Sequence, residues 1–137
     1  MSYLLDTNAC IALINGAPPR VRARLEEATS NSDSIFVSSI ALFELWYGVF
    51  KSSRTEFNSK RLQTFLAGPI ILLPFEDDDA KSAGSIRAVL ETLGKPIGAY
   101  DILIAGQALR HKLTLVTANI SEFSRVKHLV WEDWAKS

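Results

Sequence analysis

Five short apolar runs, separated by stretches with helical spacing, limit what this chain can fold into. They are SYLLD (residues 2–6), SIFVSS (34–39), PIILLPF (69–75), LTLVTAN (113–119) and HLVWEDW (128–134). Runs of this length read as buried strands, because a helix needs about ten residues or more to bury a face. The intervening segments 8–15 and 20–28, broken by NGAPP, carry apolar residues at helical intervals, as do 39–52, 55–67 and 100–112. EDDDAKSAGSIRAVLETLG (76–94) reads as an amphipathic helix that opens with acids at the positive end of its dipole. Strands alternating with helices predict an α/β protein with a parallel sheet covered on both faces.

The 137 residues fit one domain, and no repeat, low-complexity tract or long Pro/Gly-rich break divides residues 1–137. A hydrophobic content of 47% allows a substantial core. The 15 basic and 15 acidic residues cancel, so no overall basic field drives nucleic-acid binding, and any such contact must be local. Cys10 is the only cysteine, which excludes an intrachain disulfide; it reads as a small buried hydrophobe. No apolar run approaches a membrane span and no secretory leader pattern opens the chain, so a cytoplasmic location is expected.

In open parallel sheets, ligands bind beyond the carboxyl ends of the strands, where loops and helix N-termini converge. Asp6 ends the first strand, Glu44 lies on the helix after the second, Asp101 opens the helix before TLVT, and Asn119 follows that strand. All four can reach one sheet edge. Each also has a plainer role: Asp6 and Asp101 as helix caps, Asn119 as a turn residue, Glu44 as half of a buried ion pair. Glu44 is the most telling, since a mid-helix carboxylate in SSIALFELWYGVF cannot cap and has apolar flanks. Glu122 and the acids of EDDD are expected at the surface, with Asp79 a weak outer candidate. His111 and His128, without metal-ligand spacing, are expected in solvent.

The same helix carries two apolar faces. One is Leu42, Leu45 and Val49; the other is Phe43, Trp46, Tyr47 and Phe50. Two wide apolar faces exceed what one sheet contact needs, which suggests a partner, although core packing explains many single aromatics.

In order and spacing, YLLDTNACIALI, VSSIALFELWYGV, GKPIGAYDILIAGQAL, TLVTANISEFSRV and VWEDW resemble the PIN-domain ribonucleases, specifically the VapC toxins of type II toxin–antitoxin systems. The resemblance implies an α/β/α sandwich around a central, mostly parallel sheet. It implies catalytic residues at Asp6, Glu44, Asp101 and Asn119, with Asp6 and Asp101 holding Mg²⁺, for which Mn²⁺ substitutes. Asn119 stands where many PIN proteins have a fourth aspartate, Ala99 where proline is common, and Gly106 where alanine is usual. The resemblance further implies a structured RNA substrate such as tRNA. A VapB-type antitoxin would sit against Phe43, Trp46, Tyr47 and Phe50, within a homodimer and a toxin–antitoxin hetero-oligomer. A non-catalytic PIN-like module that binds RNA or protein, and a Mg²⁺-dependent phosphatase, are the competing readings.

Overall fold

The computed structural model describes residues 1–136. The chain runs β1 (Ser2–Leu5), α1 (Thr7–Asn15), α2 (Pro19–Ser30), β2 (Ser34–Ser38), α3 (Ser39–Lys51), α4 (Thr55–Leu66), β3 (Ile71–Leu73), α5 (Asp77–Thr92), α6 (Ala99–His111), β4 (Thr114–Val116), α7 (Ile120–Phe123) and β5 (Trp131–Glu132). The strands form one sheet in the order β3-β2-β1-β4-β5, with every neighbouring pair parallel. β1 is central, pairing Leu4 with Phe36 on one side and with Leu115 on the other. Leu4, Leu5, Val37 and Leu115 are fully buried, as expected for strands covered by helices on both faces. The expected α/β/α sandwich is the fold observed.

Local chemistry sets the boundaries. Asp6 caps α1, its carboxylate accepting from the Ala9 amide at 2.7 Å, and Gly16 ends that helix in the left-handed region at φ 68°. Ser38 caps α3. Glu76 and Asp79 form a reciprocal capping box at the start of α5. The third strand is shorter than the sequence run, Ile71–Leu73, because Pro69 and Pro74 have no N–H to give a ladder. β4 stops at Val116 rather than continuing to Asn119. The Thr117 hydroxyl accepts from the Asn119 amide at 2.9 Å, turning the chain into the one-turn helix α7, which the sequence pattern did not predict.

Gly106 has a packing reason. A Cβ there would lie 2.6 Å from the Ala83 nitrogen, so only glycine lets α6 lie this close to α5.

Candidate active site

The carboxyl edge of β1, β2 and β4 gathers the four residues singled out from the sequence. Asp6 follows β1 directly, with its amide bonded to the Val116 carbonyl at 3.0 Å, and its side chain is buried. Burial raises the Asp6 pKa above the ordinary carboxylate range. Glu44 and Asp133 push the same way through their charge, while hydrogen bonds from Thr117 and the Ala9 amide oppose it. Glu44, half-buried on α3, accepts a 2.7 Å hydrogen bond from the Thr7 hydroxyl of α1.

Asp101 is not a helix cap. Gly98 occupies that position and Asp101 lies in the first turn of α6, so the capping role is corrected. Its carboxyl faces that of Glu122, close enough for the two to share a proton. Burial, this contact, and the charges of Glu122, Asp6 and Glu44 push Asp101 up to about 7. Glu122 moves the other way, held ionised by donation from Asp101 and from the Asn119 amide nitrogen at 2.9 Å. Glu122 is therefore a member of the cluster at its partly exposed rim. The signals available in sequence were its place one turn after Asn119 and its position beside the VT strand end. Thr7 and Thr117 were also missed; each places a hydroxyl within two residues of a strand end, where it can orient a carboxylate.

Among the described residues, none of Asp6, Glu44, Asp101 and Glu122 forms a salt bridge. Oxygen donors with excess negative charge suit a hard divalent cation. No three of these carboxylates bring ligand atoms within 4.8 Å of one another, a spacing that suits an ion keeping several of its own waters. The trio that does meet this distance is Glu76, Asp79 and His111. There the Arg110 guanidinium already fills the cation's place, 2.6 Å from Asp79 and 3.1 Å from Glu76. Asp79 is thus a buried structural partner of Arg110, its carboxyl pKa lowered by that contact despite burial. His111 is half-buried with Nε2 3.4 Å from Asp79, which corrects its expected solvation, whereas His128 is exposed. Cys10 is buried and its thiol pKa is raised by burial, which excludes it as a nucleophile.

On α3, Phe43, Tyr47 and Phe50 are exposed, while Trp46 is half-buried against the core and stacked on Phe50 at 5.7 Å. The cavity beside Glu44, about 270 Å³, is formed by other residues: Ile11 and Ile14 of α1, Leu45 and Val49 of α3, and Arg61 and Leu62 of α4. The four aromatics do not line it. Part of the aromatic set therefore belongs to the core, and the apolar groove faces another way.

A parallel 3-2-1-4-5 sheet with this acidic edge is the arrangement of the PIN domain, and the PIN-domain family model matches residues 3–129. The chain belongs to the PIN-domain family. Within it, the chain groups with the VapC ribonucleases. It is 41% identical to Ribonuclease VapC2 of Rickettsia felis over 136 residues, covering 99% of this chain and 100% of that protein. It is 38% identical over 135 residues to the tRNA(fMet)-specific endonuclease VapC of Shigella flexneri, covering 98% and 99%. The crystal structure of Rickettsia felis VapBC2 bound to a promoter DNA fragment matches with a TM-score of 0.90 at 39% identity, over 96% of this chain and 98% of that one.

Proposed function

We propose that residues 1–137 act as a single-domain, Mg²⁺-dependent endoribonuclease, the toxin of a type II toxin–antitoxin pair that inhibits translation by cutting structured RNA. The observation that carries this reading is the cluster of Asp6, Glu44, Asp101 and Glu122, which forms no salt bridge among the described residues and in which Asp101 is pushed up to about 7. Asp6 and Asp101 would hold the ion, with Mn²⁺ able to replace Mg²⁺. Bound there, the ion would offset the negative charge of a scissile phosphate. Glu44, fixed by Thr7, is placed to accept a proton from an attacking water, and Asn119 orients Glu122. A non-catalytic module has no need of an acidic cluster without salt-bridge partners, and this one is intact.

The Shigella flexneri relative is named for tRNA(fMet), which makes the initiator tRNA the first substrate to test. By analogy with the Rickettsia felis complex, a VapB-type antitoxin would assemble with a dimer of this chain, and the complex would bind promoter DNA. Its apolar segment would lie along the groove of Ile11, Ile14, Leu45 and Val49 and extend over Tyr47 and Phe50. No described helix is long and apolar enough to cross a membrane, and a cytoplasmic site of action fits an RNA substrate. Expression without a partner should arrest growth, with cleaved tRNA appearing on northern blots. Co-expression of the antitoxin, or Asp101→Asn, should relieve both. Normal growth with abundant folded wild-type chain would overturn the toxin reading.

A further inference from the structure

We infer that Phe43 and Tyr100 form a stacking platform for an unpaired RNA base beside the scissile phosphate; this rests on the nuclease reading above. The two rings meet edge to face, centroids 5.7 Å apart and planes at 60°, so each keeps a face open. Both are exposed, Phe43 by 56% and Tyr100 by 48%, although each is large and apolar enough to be buried. Phe43 directly precedes Glu44 on α3, and Tyr100 directly precedes Asp101 on α6. The pair therefore borders the acidic cluster from two elements at once. Tyr100 also borders a cavity of about 550 Å³ between α5 and α6, and its hydroxyl makes no hydrogen bond among the described residues, which leaves it able to meet a base edge.

Electrostatics identifies the occupant. RNA must bring phosphates to an edge where four carboxylates gather, in a chain whose net charge is zero. Backbone attraction, the usual source of affinity, is weakest there. Stacking does not depend on charge, and each base on an aromatic ring contributes enough to change affinity about 5–100-fold. The edge-to-face corner can take a base on one ring while the other bounds its edge, a geometry that selects single-stranded or flipped-out nucleotides over a duplex. The apolar groove proposed for the antitoxin is centred elsewhere: Leu45, Gly48 and Val49 are about 120–160° around α3 from Phe43 at 100° per residue, and only the extension over Tyr47 and Phe50 approaches the Phe43 face.

The test uses the full chain in Ca²⁺ buffer and a fluorescein-labelled single-stranded oligoribonucleotide, with Kd read by anisotropy. A matched strand carries one abasic nucleotide. Phe43→Ala and Tyr100→Ala should each raise Kd about 5–100-fold, Tyr100→Trp should retain binding, and the abasic strand should lose the difference between wild type and variants. Melting temperature and sedimentation should stay at wild-type values. Unchanged Kd in both alanine variants, or no measurable binding by wild type, would overturn the platform. Loss of self-association at unchanged Kd would assign the pair to a second copy of the chain, and weaker binding of an antitoxin peptide alone would assign it to that partner; either refutes the proposal. Adding Mg²⁺ to wild type with the same strand separates the two readings, since absent cleavage removes the nuclease and leaves the binding result standing.

Discussion

Replacing Asp101 with Asn removes one negative charge from the sheet edge while keeping a side chain of the same shape. In the metal-free protein Asp101 is pushed from 3.8 up to about 7, so the folded state holds its proton more tightly than the unfolded chain. Between those values the folded state carries more bound protons, and stability falls as pH rises. The rise spans about three pH units, an upper bound of about 4 kcal/mol at 1.36 kcal/mol each. Asp101 is partly exposed, and solvent screening reduces this to about 1–2 kcal/mol. Glu122 is shifted in the opposite sense, its contribution lost at low pH, but the amide of Asn can still donate to it, so that contribution cancels in the comparison. In EDTA at pH 8, Asp101→Asn should therefore melt about 3–8 °C above wild type. At pH 4 the two should coincide. Thermal melts by circular dichroism at both pH values test this. A lower melting temperature for Asp101→Asn at pH 8, or a difference independent of pH, would refute the crowded-carboxylate account.

Asp6→Asn should keep the 2.7 Å cap to the Ala9 amide and a near-native melting temperature, yet lower RNA cleavage by about 100-fold or more. Thr7→Val removes the 2.7 Å bond that fixes Glu44 and should lower kcat about 10–100-fold with little change in KM, as steady-state cleavage of a labelled RNA would reveal. Gly106→Ala drives a methyl to within 2.6 Å of the α5 backbone and should cost about 1–3 kcal/mol in urea unfolding without altering the activity of the folded fraction.

The parallel sheet and its covering helix layers follow from features that survive in a single sequence, namely short apolar runs between amphipathic helices, whereas the strand order does not. Asp6 and Glu44 were legible for the same reason, one at a strand end and the other stranded in an apolar helix. The remainder depends on contacts between distant segments. Asp101 resembled a cap because it follows a Gly-bearing turn, but the helix begins at Ala99 and leaves it facing Glu122. The link of Glu122 to Asp101 was not visible because α7, which brings it to the cluster's rim, forms only once Thr117 halts β4. Asp79 and His111 lie 32 residues apart, and nothing local announces that Arg110 brings them together. The aromatic residues of α3 share one stretch of sequence but divide between core, surface and the border of the acidic edge.

The end chemistry of cleaved RNA tests the central claim most directly. If the sheet-edge carboxylates direct water at the phosphorus, the 2′-hydroxyl is not the nucleophile, and purified chain with Mg²⁺ should leave 5′-phosphate and 3′-hydroxyl ends on tRNA, with no cleavage in EDTA. Ligation and phosphatase treatment of the products read both ends. Cyclic 2′,3′-phosphate ends, or the same cuts in EDTA from a preparation that Asp101→Asn does not silence, would contradict it.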